Sequence, residues 1–178
     1  MSETPYQFTD RRGLPKASLY RELHTEFTGL VGTRWLANCA NLSSLLYQHL
    51  PDLNWAGFYL ADESSHLRLG PFHGLPACLD IPISRGVCGA AARTREIQIV
   101  PDVEQFPGHI ACDARSRSEI VLPILLHRGR TNEKLLGVLD LDSPLPNRFD
   151  NMDAEGLQLL IDVLVEKSKW PSRWSDVL

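Results

Sequence analysis

Apolar residues recur at helical spacing near both ends of the chain. An early run predicts a first amphipathic helix, with its core face at Leu19, Leu23, Phe27 and Leu30. A second helix follows and stops at Pro51, because proline cannot continue a helix. Near the other end a helix opens at Asp150, with Asp153 three residues later in the pattern of an acidic capping box. The core face of this last helix is predicted at Leu157, Leu160, Ile161 and Leu164.

Between these helices the helical spacing of apolar residues ends. Short apolar or alternating runs, which are typical of strands, take its place. The predicted strands cover residues 55–60, 67–69, 79–83, 97–100, 120–126 and 135–141. Pro82 places the third strand at a sheet edge, because proline has no N–H to donate to a neighbouring strand. Small residues over 86–92 predict a short inserted helix. Residues 102–118 form a long polar connection, and such a loop in a compact domain is usually functional or disordered.

This order of elements predicts an α+β fold, with a central antiparallel sheet of about six strands and helices mainly on one face. The length of 178 residues favours one domain with a sizeable core. We place that domain at residues 17–170, between a loose N-terminal leader over 1–16 and a C-terminal tail over 171–178.

Composition narrows the classes of function. The formal net charge is −4 and no basic run is present, which argues against nucleic acid as the main partner. No stretch approaches the ~18 apolar residues of a membrane span, and the polar N-terminus lacks the apolar core of a signal peptide. We therefore expect a cytoplasmic protein without membrane contact. The sequence does not decide the oligomeric state, and a homodimer stays open.

Three of the four cysteines lie in loops or at junctions, where a thiol can be exposed and ionised: Cys78, Cys88 and Cys112. The fourth, Cys39, lies within the second predicted helix and is expected in the core. No two cysteines form a C-x-x-C pair, so the usual zinc or thioredoxin spacing is absent and no bound metal or cofactor is predicted. In the cytoplasm, transient disulfides are usually catalytic or sensory, which favours thiol redox chemistry.

The surroundings of these cysteines leave several interpretations open. Cys88 lies between small residues at a predicted helix start, where a thiol could be activated or could simply pack. His109 and Arg115 favour a thiolate at Cys112, whereas the adjacent Asp113 opposes one. Cys78 suits a resolving thiol, and an inert loop cysteine is the alternative.

Acidic and aromatic residues supply the other candidates. Asp140 and Asp142 share a strand face by alternation, which is costly unless they meet a cation or a hydrogen-bond donor. A substrate ammonium would serve, as would arginine or backbone donors. Glu119 begins the next-to-last strand and could face the same cavity. Trp55 and Tyr59 share one face of the first strand, as core residues or as the wall of a ligand site.

Six segments taken together resemble the free methionine-(R)-sulfoxide reductases, which are single GAF-domain enzymes. They cover residues 55–60, 69–74, 86–89, 107–113, 118–121 and 137–143, in the family's order. Each segment alone is weak evidence for this family, since a Gly-Val-Leu-Asp-Leu-Asp-Ser ending recurs in GAF domains. The three cysteine motifs together are specific for the family. The sequence differs from the family in a long hairpin at 128–134, in the additional Cys39 and in its tryptophan- and proline-containing tail at 170–178.

The resemblance implies a GAF-type fold and the reduction of free L-methionine (R)-sulfoxide to L-methionine, the oxidoreductase activity EC 1.8.4.14. It implies that the thiolate of Cys112 attacks the sulfoxide and becomes a sulfenic acid, that Cys78 resolves this acid as a disulfide, and that Cys88 can assist. Thioredoxin, reduced in turn by NADPH, is the implied external reductant.

The resemblance also implies that Glu119, Asp140 and Asp142 line the site around the polar groups of the substrate, with Glu119 or Asp142 as the proton donor. Trp55 and Tyr59 would pack around the methylthio end. Carboxylates suit a free amino acid, because its ammonium is absent from protein-bound methionine sulfoxide. Two alternatives remain at this point, a non-catalytic GAF sensor of a small ligand or of redox state, and a thiol peroxidase.

Overall fold

The computed structural model describes residues 6–62, 64–110 and 112–172. The elements in chain order are α1 (Lys16–Leu30), α2 (Trp35–His49), β1 (Trp55–Ala61), β2 (His66–Gly74), β3 (Asp80–Pro82), α3 (Gly86–Thr94), β4 (Gln98–Val100), a 3₁₀ turn (Val103–Gln105), β5 (Ser118–Leu126), β6 (Lys134–Ser143) and α4 (Asn151–Lys167). Part of the predicted leader and most of the predicted tail, residues 1–5 and 173–178, lie outside the described residues. Helix α1 begins at the last residue of the predicted leader.

The six strands form one antiparallel sheet in the order β3-β2-β1-β6-β5-β4. Strand β3 lies at an edge, as Pro82 predicts. Strand β2 is longer than the predicted 67–69, since its pairing with β1 continues from Leu67 to Gly74. This pairing includes a bulge beside Gly57, which interrupts the alternation on which the shorter prediction rests. The predicted α+β class is confirmed.

The two faces of the sheet carry different layers. Alternate residues of β1, such as Phe58 and Leu60, point into a core shared with α1, α2 and α4. Trp55 and Tyr59 point to the opposite face, where α3 and the long loops form a second, smaller apolar cluster. The larger core stabilises the domain, and the smaller cluster surrounds the chemistry described below.

Helix α4 starts as its sequence predicts and packs closely on α1. The Asp150 side chain accepts from the backbone N–H of Met152 and Asp153, and the Asp153 side chain returns the capping-box bond. A Cβ atom at Gly156 would lie 2.1 Å from the ring of Tyr20, so the two helices meet where α4 has no side chain. Among the described residues, no helix is long and apolar enough to cross a membrane.

Candidate active site

Three carboxyl groups meet on the face of the sheet that α3 covers. Strand pairing sets Glu119 of β5 directly opposite Asp142 of β6, and Val121 opposite Asp140. Because side chains alternate along a strand, Glu119, Asp140 and Asp142 project to the same side. Glu119 and Asp140 are each 5% exposed, and Asp142 is half-buried. The antiparallel register therefore brings Glu119 to two acids that lie 21 and 23 residues later in the sequence.

Helix α3 lays the thiol of Cys88 over this acidic cluster. The Sγ atom of Cys88 donates to Oδ2 of Asp140 at 3.3 Å and lies 3.9 Å from Oε1 of Glu119. The helix can approach this closely because it begins with small residues. A Cβ atom at Gly89 would lie 2.7 Å from the carbonyl oxygen of Ile83, which leaves no room for a larger residue.

A disulfide joins Cys78 to Cys112 beside the cluster. The two Cα atoms are 5.4 Å apart, within the range that a disulfide spans. The hydroxyl of Tyr59 donates to the carbonyl oxygen of Cys78 at 3.2 Å and so ties the 75–79 loop to strand β1. The remaining cysteines, Cys39 and Cys88, are free thiols and are both buried.

The loop that carries Cys112 is fixed by a polar network to the start of β1. The Asp113 carboxylate accepts from Nδ2 of Asn54 at 2.9 Å and from the Arg115 guanidinium at 2.7 Å. The same Asn54 amide donates to Oγ of Ser116 at 3.0 Å, and the Asn54 backbone N–H donates to the carbonyl oxygen of Asp142. One asparagine thus connects the Cys112 loop to the strand that carries two of the acids.

These elements enclose a small cavity of about 30 Å³. It is lined by Ile81, Gly86, Val87, Cys88, His109, Ile110, Cys112, Asp113, Ser116, Glu119, Asp140 and Asp142. A space of this size holds about two water molecules. The Oδ1 atom of Asp140 is buried without a hydrogen-bond partner, which leaves an acceptor free for a ligand.

Burial raises the pKa of all three acids. Loss of solvation raises the pKa of Glu119 well above its usual value, and the nearby Asp140 and Asp142 raise it further. Loss of solvation likewise raises the pKa of Asp142, and a hydrogen bond from Ser116 opposes the rise. The pKa of Asp140 is raised to about 7, again by burial, while its hydrogen bonds with Cys88 and Glu119 act in the opposite direction. Burial therefore favours the protonated forms of these acids, and such raised pKa values are common in groups that transfer protons.

Burial also keeps two further groups of the cavity, Cys88 and His109, uncharged. The pKa of the Cys88 thiol is raised well above its usual value by loss of solvation, and next by the negative charges of Asp140 and Glu119. This effect outweighs the activation expected of a helix start. Burial lowers the pKa of His109, whose Nε2 lies 3.9 Å from Oε2 of Glu119. The imidazole is therefore neutral at neutral pH.

The structure brings five of the predicted site residues to one cavity, namely Cys88, Cys112, Glu119, Asp140 and Asp142. Cys78 reaches this group through its disulfide, but it is not among the lining residues. Trp55 and Tyr59 also lie outside the lining, stacked on each other with ring centroids 5.7 Å apart. Their assignment as walls of the substrate site stays a prediction.

Sequence reasoning did not select Asn54 or Ser116, and it treated His109 and Asp113 only as neighbours of Cys112. No spacing rule connects Asn54 with a loop some 60 residues away, and only the folded chain brings them together. Among the described residues, Cys88, Glu119 and Asp140 are the group whose ligand atoms lie close enough to hold a metal ion, within 4.8 Å of one another. The thiol-to-carboxylate hydrogen bond accounts for the same closeness without a metal.

Comparison with known proteins identifies the family of this chain. The GAF domain family model matches residues 20–165. The free methionine-R-sulfoxide reductase of Escherichia coli is 47% identical over 148 residues, which cover 82% of this chain and 86% of the relative. The chain belongs to the free methionine-R-sulfoxide reductase family. The Saccharomyces cerevisiae member is 45% identical over 163 residues, with 87% of this chain and 88% of that protein covered.

A solved structure of this reductase family shares the fold. The free methionine-R-sulfoxide reductase of Neisseria meningitidis, determined in complex with its substrate, superposes with a TM-score of 0.81 at 40% identity. The match covers 92% of this chain and 94% of that one. The family resemblance read from the sequence motifs is thereby confirmed, as is the GAF fold.

Proposed function

We propose that this protein reduces free L-methionine (R)-sulfoxide to L-methionine at the cavity between α3 and the sheet. Two family relatives carry the name of that activity, and the Neisseria meningitidis structure holds its substrate. The observation that carries the proposal is the disulfide between Cys78 and Cys112 beside three carboxyl groups whose pKa values burial raises. A ligand-binding sensor would need neither feature.

Cys112 is the nucleophile in this proposal. Of the two bridged sulfurs, only that of Cys112 belongs to a residue lining the cavity. Its thiolate attacks the sulfoxide sulfur while a carboxylic acid of the cluster protonates the sulfoxide oxygen. The S–O bond of the substrate breaks, the oxygen is transferred to Sγ of Cys112 as a sulfenic acid, and methionine leaves. The thiol of Cys78 then attacks Sγ of Cys112, the S–O bond breaks, and water departs as the disulfide forms.

Glu119 is the acid that we assign to the first step. Glu119 and Asp140 are the two most enclosed of the three acids, and the raised pKa of Glu119 favours its protonated form. Asp140 and Asp142 are assigned to the substrate ammonium. The unpartnered Oδ1 of Asp140 supports that role, because a buried acceptor without a donor is costly until a ligand supplies one. Cys88 remains a protonated thiol that donates to Asp140, and its assistance in resolution is a secondary role.

Reduction of the disulfide has to precede attack on the substrate. Sγ of Cys112 cannot be a thiolate while it is bonded to Sγ of Cys78. An external dithiol of the thioredoxin class opens the bridge by exchange and restores both thiols. The protein itself then needs no bound cofactor.

The deciding assay supplies free (R)- or (S)-methionine sulfoxide with thioredoxin, thioredoxin reductase and NADPH, and follows NADPH oxidation. We expect turnover with the (R) form alone. N-acetylmethionine sulfoxide serves as the matched control, since it keeps the sulfoxide and lacks the ammonium. Equal rates with the free and the acetylated substrates would refute the assignment of Asp140 and Asp142, and absence of methionine formation would refute the function.

A further inference from the structure

We propose that residues 75–79 form the docking surface for the protein dithiol that recycles this enzyme, and that this reductant attacks Sγ of Cys78 and not Sγ of Cys112. The inference rests on the proposed function for its biological meaning. Its geometric basis is the arrangement of the disulfide between an enclosed cavity on one side and an exposed apolar loop on the other.

The direction of approach separates the two sulfurs. In thiol–disulfide exchange the incoming sulfur, the attacked sulfur and the leaving sulfur lie nearly in line. Cys112 belongs to the lining of the small cavity, together with Glu119 and Asp140, whereas Cys78 lies outside that lining. Cys78 follows the exposed Leu75 and precedes the exposed Leu79, in a loop that meets solvent. The small space beside Cys112 and the exposed loop beside Cys78 therefore favour attack on Cys78.

The surface around Cys78 is apolar and open. Leu79, the next residue, is 73% exposed, the highest value among the large hydrophobic side chains that the structure describes. Leu75 is 51% exposed, and Phe72, at the end of β2, is 36% exposed. No Asp, Glu, Lys or Arg occurs between Arg68 and Asp80. Exposed apolar groups beside a reactive group indicate an interaction site, and here the disulfide specifies a partner that carries a dithiol.

The step consumes one dithiol for each disulfide. The first thiolate of the reductant bonds to Sγ of Cys78, and the S–S bond to Cys112 breaks. Cys112 leaves with the electron pair as a thiolate that faces the cavity, in the state required of the next attack on substrate. The second thiol of the reductant then displaces Cys78 from the mixed disulfide. The reductant is oxidised to its own disulfide, and the displaced Cys78 takes up a proton.

The kinetics of recycling by thioredoxin test the docking surface at residues 75–79. In Leu79→Asp we expect the KM for thioredoxin to rise about tenfold, the scale of one lost interface anchor. Turnover driven by dithiothreitol should stay unchanged, because a small dithiol needs no docking surface. Leu159→Asp is the matched control, since Leu159 is 52% exposed on α4, in the helix layer across the sheet. A thioredoxin KM within twofold of wild type in Leu79→Asp would overturn the docking surface.

Trapping tests the attacked sulfur. The oxidised protein is incubated with a thioredoxin whose second active-site cysteine is replaced by serine, and the mixed disulfide is mapped by peptide mass spectrometry. We expect the link at Cys78, and a link at Cys112 would refute the proposal. Trapping uses no methionine sulfoxide, so it reports on docking alone. Failure of wild type to form methionine even with dithiothreitol would instead refute the proposed function.

Discussion

The thiol of Cys88 donates a hydrogen bond to the carboxylate of Asp140, with Sγ 3.3 Å from Oδ2. The contact joins helix α3 to strand β6 at the floor of the cavity. It stabilises the ionised form of Asp140, whereas the negative charge of Asp140 raises the pKa of Cys88. The cysteine that contacts the acids is therefore held as a thiol and not as a thiolate.

This relationship predicts how the free thiols of the oxidised protein respond to a labelling reagent. Cys39 and Cys88 are the two free cysteines, and burial raises the pKa of both, that of Cys39 to about 12. We expect iodoacetamide to label neither under native conditions at pH 8, and to label both after unfolding in guanidinium. Mass spectrometry of the intact protein gives the count. Rapid native labelling of Cys88 would show that its thiol is exposed and would return it to the candidates for nucleophile.

Single-turnover experiments should distinguish the roles of the two bridged cysteines. Cys112→Ser is expected to abolish methionine formation, because the nucleophile is lost. Cys78→Ser should release methionine once and then fail to turn over with thioredoxin, because no resolving thiol is left. Rapid quench with enzyme in excess measures the first event, and NADPH oxidation measures the second. Full steady-state activity of Cys78→Ser would transfer the resolving role to Cys88.

Glu119→Gln tests the proton donor. Glutamine keeps the shape and a hydrogen-bond donor but cannot transfer a proton, so the chemical step should slow by about 10²–10⁴-fold with a smaller effect on binding. Single-turnover methionine formation at saturating substrate isolates this step. Glu155→Gln, at an exposed position of α4, is the matched control and should behave as wild type. An unchanged rate in Glu119→Gln would reduce Glu119 to a structural residue of the strand.

Asp140→Asn should raise the free energy of unfolding and lower kcat/KM for methionine sulfoxide. The pKa of Asp140 is raised to about 7 in the folded protein, so between the usual range of an aspartate and pH 7 the folded state holds a proton that the unfolded state has lost. Stability contributed by this group is therefore lost as pH rises toward 7. We expect Asp140→Asn to gain at least about 1 kcal/mol at pH 8, or about 2–4 °C in Tm, and little at pH 5.

Thermal unfolding of wild type and Asp140→Asn at the two pH values provides the comparison, with Asp162→Asn as the exposed control. In the methionine sulfoxide assay, kcat/KM of the same variant should fall by the equivalent of about 2 kcal/mol or more, because the substrate ammonium has lost a charged partner. A variant that is equally destabilised at pH 5 and pH 8 would contradict the raised pKa.

Gly156→Ala tests the contact between α1 and α4. The new methyl group would overlap the ring of Tyr20, and overpacking of this kind costs about 1–3 kcal/mol. Gly29→Ala is the matched control, because a Cβ atom at Gly29 meets no atom within 4 Å and alanine favours a helix. Urea unfolding should therefore move the two variants in opposite directions. A neutral Gly156→Ala would show that Tyr20 can shift without cost.

The sequence by itself determined the element order, the α+β class and the family. Helical and alternating periods depend on local geometry, so α1, α2, α4 and the apolar strands can be recognised from spacing alone, as can the capping box of Asp150 and the edge position of Pro82. Alternation also determined that Asp140 and Asp142 share a face. The motifs around the cysteines were specific enough to indicate the reductase family before any geometry was known.

Tertiary structure alone decided which side chains meet. Strand register sets Glu119 opposite Asp142, and the packing of α3 sets Cys88 against Asp140. The anchoring of the Cys112 loop by Asn54 depends on a contact across 59 residues of chain. The protonation of the cluster has the same origin. A pKa responds to burial and to neighbouring charges, and both are properties of the folded chain that no spacing along the sequence records.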